Sequence, residues 1–220
     1  FLYFEKPDAL IHLAWEGLPH YKEFFHVEQN MPRHFSFLEN LVRNGCRDIT
    51  IAGTCLEYGM QEGCLDEDLP VDPQVAYPRA KNMLRLQLEE LRNQYDFNLK
   101  WVRLFYMFGK GQSPNSIISQ LEKALLNGDK VFNMSPGDQK RDYLPIETVA
   151  TYICDISQQT AVEGIINCCS GVPIEVKQLV EDYLTKTKQS IILNTGFYPY
   201  ADIEPFAFWG NNKKLKRIIQ

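Results

Sequence analysis

The segment AYPRAKNM, residues 76–83, places a tyrosine four residues before a lysine. On an α-helix these two residues share one face, about 6 Å apart along the axis. An ammonium group at that distance stabilises a phenolate by Coulomb attraction and lowers the pKa of the tyrosine toward neutral pH. Tyr77 and Lys81 are therefore a candidate acid–base pair, although the same spacing also occurs on helices that carry no site.

A hydroxyl group that could serve the same site stands earlier in the chain. Thr54 ends the apolar segment DITIAGT, residues 48–54. In a doubly wound sheet the ligand crevice lies at the carboxyl ends of the parallel strands. A threonine at such an end can hydrogen-bond a substrate oxygen while Tyr77 moves a proton, or it can simply cap the next turn. The ordered set of Thr54, Tyr77 and Lys81 is more specific than any pair within it.

The pattern of apolar residues predicts the elements that position this set. Strands are predicted at 8–14, 48–54 and 98–109, with helices at 34–45 and 78–96 between them. Further along, helices are predicted at 113–129, 146–159 and 175–187, strands at 130–134 and 164–171, and polar loops at 65–74 and 135–145. Alternating buried strands and helices predict an α/β fold with a doubly wound, Rossmann-like parallel sheet.

The composition excludes several functional classes. The chain has 220 residues, a net charge of −5 and one short basic cluster, KKLKR at 213–217, so a nucleic-acid surface is not expected. No apolar run reaches the roughly 18 residues of a membrane helix, and no signal peptide is evident. The six cysteines form no C-x-x-C pair and are predicted to be buried thiols of a cytoplasmic protein. No metal site is expected, because the four histidines lack metal-ligand spacing.

Six segments in chain order resemble the extended short-chain dehydrogenases/reductases of the NAD-dependent epimerase/dehydratase family, which modify nucleotide sugars. The segments are DALIHLAW (8–15), AGTCLEYG (52–59), YPRAK (77–81), RLFYMFGKGQ (103–112), QKRDYLPIETVA (139–150) and IINCCSG (165–171). The resemblance covers nearly the whole chain. It implies a cofactor-binding core at 1–112 and 143–170 and a smaller, discontinuous substrate-binding lobe at 113–142 and 171–220.

The resemblance also implies a role for individual residues. Tyr77 would be the acid/base, Lys81 would bind the nicotinamide ribose and tune Tyr77, and Thr54 would hold the reacting oxygen. The residues implied to contact NAD or NADP are His12, Leu13, Ala14, Ala52, Gly53, Tyr77, Lys81, Leu104 and Phe105. The substrate-binding residues would be Thr54, Tyr106, Asn115 and Arg141, of which the last two would bind a diphosphate. For Arg141 an ion pair with Asp142 or Asp138 is the alternative, and for Asn115 a helix N-cap.

The sequence departs from the family pattern in three places. The Gly-rich turn that holds the cofactor diphosphate is absent, which suggests a longer natural protein. Tyr106 stands where the family usually has asparagine. Cys55 and Leu56 occupy the positions of the Asp-Glu pair with which 4,6-dehydratases expel water, so dehydration is not expected.

These observations predict NAD(P)-dependent oxidoreduction at C4 of a nucleotide-activated hexose, most simply a 6-deoxyhexose. A 4-ketoreductase and a 4-epimerase both remain open, and either would serve surface polysaccharide synthesis, such as that of lipopolysaccharide. The alternative is a non-catalytic binding or regulatory subunit, which the missing Gly-rich turn would favour. A homodimer through the helices predicted near 34–44 and 78–95 is expected from the resemblance.

Overall fold

The centre of the computed structural model, which describes residues 2–200 and 204–219, is a parallel sheet of four strands. The strands are β1 Ala9–His12, β2 Asp48–Thr54, β3 Gly63–Leu65, β4 Asn98–Leu104, β5 Tyr106–Phe108, β6 Val131–Asn133, β7 Lys140–Arg141, β8 Tyr143–Pro145, β9 Gly164–Cys168, β10 Ile174–Glu175, β11 Ile192–Asn194 and β12 Phe208–Gly210. The helices are α1 Met31–Arg43, α2 Ala76–Leu91, α3 Ile117–Asn127, α4 Ile146–Gln158 and α5 Val176–Thr187. The central sheet has the order β1-β2-β4-β9.

Helices cover both faces of this sheet, which confirms the predicted α/β doubly wound fold. On one face, α1 and α2 bury their apolar stripes against β2 and β4, with Leu38, Leu41, Leu84, Leu88, Ile49, Ile51 and Trp101 in one cluster. On the other face, α4 contributes Val149, Ile153 and Ile156 against Val102 and Ile166. Because both faces are buried, the strands are near-continuous apolar runs, the pattern from which they were predicted.

The central strand β4 ends earlier than the sequence predicts. The apolar run continues to residue 109, but β4 ends at Leu104. The backbone N–H of Phe105 still donates to Cys168 of β9, whereas that of Tyr106 donates to Asp142 instead. From Tyr106 onward the chain forms β5, which pairs in parallel with β8. The run therefore contains two strands because its hydrogen-bond partner changes, and the second strand lies outside the central sheet.

Several other boundaries differ from the prediction. Helix α1 begins at Met31, three residues early, and directly follows a π-helical turn at His26–Asn30. Helix α3 begins at Ile117, because Ser116 caps it by accepting a hydrogen bond from the N–H of Ser119. The predicted polar loop 135–145 contains β7 and β8, and β3 lies at the start of the loop predicted at 65–74. In the aromatic C-terminal segment, β12 pairs in parallel with β3.

Strand β1 forms one edge of the central sheet. Among the described residues it pairs only with β2, so its outer backbone groups face outward. Near this edge the side chains of Ile11 and Leu13 are 40% and 56% exposed.

No helix of the described chain is long and apolar enough to cross a membrane. Of the six cysteines, Cys64 and Cys154 are exposed, so the prediction of buried thiols holds for the other four.

Candidate active site

A cavity of about 450 Å³ opens where β2 and β4 end and α2 begins. It is lined by most of the residues that the sequence predicted for cofactor and catalysis: Leu13, Ala52, Gly53, Thr54, Tyr77, Lys81, Leu104, Phe105 and Tyr106. His12 and Ala14 do not line it. The ring of His12 is buried against His34 and Phe37 instead, and Ala14 is exposed beside the strand end.

The start of α2 fixes the position of Tyr77. Val75 is extended, the helix begins at Ala76, and Pro78 lies in its first turn, where no backbone donor is needed. The N–H of Tyr77 is one of the helix donors without an intrahelical acceptor, and it donates to the carbonyl of Tyr21 at 2.9 Å. The rings of Tyr21 and Tyr77 also pack together, 5.5 Å apart. The tyrosine is thus held by backbone and ring contacts at the same time.

Lys81, one turn further along, is almost fully buried. Its Nζ donates to the carbonyl of Ala52 at 2.8 Å and lies 4.1 Å from the centroid of the Trp15 ring. A cation over an indole face is attracted by the ring quadrupole. Burial lowers the pKa of Lys81 to about 7, and the negative charge of Glu57 opposes this change. Lys81 therefore loses its proton much more readily than an exposed lysine does.

The pKa of Tyr77 is raised, whereas its spacing to Lys81 predicted that it would be lowered. Burial raises it, the charges of Glu57 and Tyr21 add to the rise, and hydrogen bonding to Thr54 only partly offsets it. The expected lowering by an adjacent ammonium is therefore wrong for the chain by itself, because the hydroxyl is removed from water. At neutral pH Tyr77 carries its proton and is able to donate it.

Thr54 ends β2 and caps the short turn that follows, which confirms the capping role predicted from the sequence; its contact with a substrate oxygen stays a prediction. Its Oγ1 accepts a hydrogen bond from the N–H of Leu56 at 3.3 Å, and its own N–H donates to Glu57 Oε1 at 3.0 Å. This reciprocal pattern is a capping box. The cap fixes the threonine at the cavity wall beside Tyr77.

Glu57 is a buried acidic residue beneath the candidate site that the sequence analysis missed. Its carboxylate is fully buried beneath Thr54 and also accepts hydrogen bonds from Trp101 Nε1 at 3.0 Å and Arg103 Nε at 2.9 Å. The guanidinium of Arg103 lies 4.3 Å from the ring centroid of Tyr58. An available signal was Arg103 in a strand predicted to be buried, because a buried charge requires a partner on a neighbouring element.

The histidines of the first 34 residues hold Trp15 in place. Its Nε1 donates to Nδ1 of His26 at 3.1 Å, which leaves the other ring nitrogen of His26 to donate to the carbonyl of His20 at 3.0 Å. The indole also stacks on the ring of His34, with 4.6 Å between centroids. Within 2–200 and 204–219, no group of three His, Cys, Asp or Glu residues is placed to hold a metal.

A second cavity of about 380 Å³ adjoins the first and contains the remaining predicted substrate residues. Asn115, Arg141 and Tyr106 line it, together with the start of α3. The side chain of Asn115 is exposed, and the N-cap of α3 is Ser116, so the alternative reading of Asn115 as that cap is wrong.

Arg141 is paired, but with neither of the aspartates considered from the sequence. Its Nε and Nη2 donate to Glu204 Oε2 at 3.3 and 3.1 Å, and its Nη1 donates to the carbonyls of Lys140 and Phe206. Asp142 instead accepts backbone hydrogen bonds from Ser170, Gly171 and Gly210. Of the five guanidinium N–H groups of Arg141, one on Nη2 has no acceptor among the described residues.

The residues around the first cavity fit the nicotinamide end of a dinucleotide. Leu13, Ala52, Gly53 and Leu104 offer small or apolar surface for a flat ring, and the ammonium of Lys81 is a donor suited to ribose hydroxyls. The 220 residues contain no Gly-rich turn for the diphosphate of such a cofactor. The residues present are therefore suited to the reactive end of a dinucleotide rather than to its diphosphate.

The chain is similar in sequence to a known family and to known enzymes. A model of the NAD dependent epimerase/dehydratase family matches residues 1–169. The chain is 29% identical over 209 residues to the dTDP-6-deoxy-L-talose 4-dehydrogenase (NAD(+)) of Aggregatibacter actinomycetemcomitans, covering 94% of this chain and 76% of that protein. It is 26% identical over 195 residues to the dTDP-4-dehydro-6-deoxyglucose reductase of Escherichia coli, covering 84% of this chain and 61% of that protein.

A solved structure shows the same fold. The UDP-N-acetylglucosamine 4-epimerase of Methanobrevibacter ruminantium, in complex with UDP-N-acetylmuramic acid, superposes with a TM-score of 0.85 at 22% identity, over 96% of this chain and 70% of that one. The extended short-chain dehydrogenase/reductase fold predicted from the motifs is confirmed. The chain belongs to the NAD dependent epimerase/dehydratase family.

Proposed function

We propose that this protein is an NAD(P)-dependent enzyme that oxidises or reduces C4 of a nucleotide-activated hexose, either as a 4-ketoreductase/4-dehydrogenase or as a 4-epimerase. The observation that carries the proposal is the convergence of Thr54, Tyr77 and Lys81 on one cavity at the carboxyl ends of the strands. The named activities of the two relatives, both on C4 of a dTDP-linked 6-deoxy sugar, support a substrate of that class.

In this proposal the side chains handle a proton and an oxygen. A bound nicotinamide cofactor supplies hydride transfer. Tyr77, which is protonated at neutral pH, gives its proton to the C4 oxygen of a ketone. In the opposite direction Tyr77 must first lose that proton to solvent, and its phenolate then takes the proton of the C4 hydroxyl. Thr54 hydrogen-bonds the same oxygen, and Lys81 holds the ribose next to the indole of Trp15. The choice between NAD and NADP is left open in the proposal.

The second cavity is proposed to take the nucleotide diphosphate. Its support is the remaining N–H of Arg141, the N-terminal end of α3 and the exposed amide of Asn115. Tyr106 lines both cavities and would lie between the sugar and the diphosphate. We accordingly propose residues 1–112 and 143–170 as the cofactor core, and residues 113–142 and 171–220 as the substrate lobe.

Dehydration of the sugar is disfavoured by the residues that follow Thr54. Burial raises the pKa of the Cys55 thiol, so Cys55 stays neutral, and Leu56 has no titratable group. Neither can replace an acid–base pair. The proposals of a cytoplasmic homodimer that serves surface polysaccharide synthesis rest on the family resemblance.

The test is turnover of dTDP-4-dehydro-6-deoxyglucose with NADH or NADPH, followed through the nicotinamide absorbance. The variant Tyr77→Phe should lose about 10²–10⁴-fold in kcat, because it keeps the ring and removes the proton. Tyr95→Phe, just beyond the end of the same helix and outside both cavities, is the matched control and should stay active. Equal activity of the Tyr77→Phe variant, or no nicotinamide-linked turnover of any nucleotide sugar, would contradict the proposal.

A further inference from the structure

Glu204 stands at the junction of the two cavities. Its side chain lines the catalytic cavity as well as the one proposed for the diphosphate, and it is 20% exposed. Its Oε2 accepts both hydrogen bonds from Arg141, so this oxygen is fixed on one side of the cleft. Among the described residues no such pair of hydrogen bonds holds Oε1, although the Tyr106 hydroxyl is close enough to interact with the Glu204 carboxylate. A carboxylate therefore forms part of the wall along which a sugar must lie.

The negative charge of Glu204 reaches the side chains around the reacting position. Burial is the first cause of the raised pKa of Tyr21, Tyr106 and Cys55, and the charge of Glu204 is the second cause in all three. Cys55 directly follows Thr54, which lines the same cavity. The field of this carboxylate thus extends to the place where C4 of a sugar would be held.

The described residues that line the two cavities include only two cations, and both are engaged. Lys81 donates to the carbonyl of Ala52 and lies against the face of Trp15. Arg141 uses four of its five N–H groups within the protein. Glu204 is paired with Arg141, but its charge outweighs the opposing charge of Arg141 at Tyr106 and Cys55. A second carboxylate in the sugar-binding cavity would consequently meet Glu204 with no further cation among the described lining residues.

We propose that Glu204 is a specificity-determining residue that admits neutral hexoses and rejects sugars that carry a carboxylate, such as uronic acids. The inference rests on the proposed function and adds the charge class of the sugar. A hydroxyl group can donate to Oε1 of Glu204, whereas a carboxylate cannot donate and is repelled. In a cavity of about 450 Å³ the two charges must lie within roughly 8 Å. At an effective dielectric of 20–40 this separation predicts about a tenfold difference in affinity.

The experiment compares two ligands that differ only at C6. Dissociation constants for UDP-glucose and UDP-glucuronic acid are measured by calorimetry on the purified protein, and again with the thymidine diphosphate forms. The wild type should bind the glucose form about tenfold more tightly. In Glu204→Gln the two constants should come within about threefold of each other. Because both ligands carry the same diphosphate, any change in how Arg141 binds it cancels in the ratio.

A matched control comes from the same segment of chain. Glu62 Oε1 accepts the N–H of Phe206 and so anchors this segment from outside both cavities. Glu62→Gln should keep the tenfold preference. Equal binding of the two ligands by the wild type, or an unchanged ratio in Glu204→Gln, would overturn the role of Glu204. Failure of every nucleotide sugar to bind the wild type would instead overturn the proposed function.

Discussion

The buried pair of Glu57 and Arg103 allows the most quantitative prediction. Both side chains have zero exposure, and the carboxylate also holds the N–H groups of Thr54 and Trp101. Glu57→Gln removes the charge with little change of shape. It leaves the guanidinium buried without a counter-charge, and Nη1 and Nη2 of Arg103 already lack a hydrogen-bond partner among the described residues. Breaking a buried pair in this way costs about 3–5 kcal/mol.

Such a loss is large compared with the roughly 5–15 kcal/mol that stabilises a typical domain. Urea unfolding followed by far-UV circular dichroism measures it directly. The double variant Glu57→Gln/Arg103→Met removes the stranded cation and should recover most of the loss, to within about 2 kcal/mol of the wild type. The stability losses of the two single variants should therefore not add in the double variant.

A surface pair provides the control for this experiment. Arg92 and Glu163 are joined at 2.8 Å, with side chains 36% and 46% exposed. Glu163→Gln should cost less than about 1 kcal/mol, because exposed ion pairs contribute little. The reasoning fails if Glu57→Gln destabilises the protein no more than Glu163→Gln does, or if the losses of the Glu57 and Arg103 variants simply add.

Two further predictions concern pH. Burial lowers the pKa of Lys81 to about 7, so above that pH the unfolded chain binds more protons than the folded protein does. The free energy of unfolding of the wild type, relative to that of Lys81→Met, should therefore rise by about 4 kcal/mol between pH 7 and 10.5. Urea unfolding measures this difference, and a difference that does not change with pH would contradict the burial argument. Burial, with the charges of His34 and Lys81, lowers the pKa of His12 to about 4. As the pH falls from 6.5 to 4, the free energy of unfolding should therefore decrease by about 3 kcal/mol more in the wild type than in His12→Asn. Equal decreases in thermal unfolding scans would refute this prediction.

Local patterns predicted the parts of the fold whose physical cause is local. Strand β2 runs from Asp48 to Thr54, as the sequence indicates, because a strand buried on both faces is a continuous apolar run. The end of β4 could not be read in this way. It depends on Asp142, which takes the N–H of Tyr106 away from the central sheet, and no pattern within residues 98–109 contains that information.

The residues of the candidate site also separate into those that a local sequence pattern predicts and those that depend on long-range contacts. Thr54 ends β2, and Tyr77 and Lys81 lie four residues apart near the start of α2, so a local motif is enough to predict that they share a site. Glu57 and Glu204 act through partners 46 and 63 residues away, Arg103 and Arg141. Long-range pairs of this kind are set by tertiary packing. The direction of the Tyr77 pKa was missed for a related reason, because spacing indicates an adjacent charge but not the loss of water around the hydroxyl.

The outer edge of β1 has a consequence for the behaviour of the chain in concentrated solution. Unpaired N–H and C=O groups along a strand are a template for another strand, and natural edges are protected by lysine, proline or a bulge. The four residues of β1, ALIH, include neither lysine nor proline, and Ile11 and Leu13 expose apolar surface beside them. In concentrated solution a second copy of these 220 residues can pair with β1 wherever no other strand occupies this edge, and Ile11→Lys should suppress that pairing.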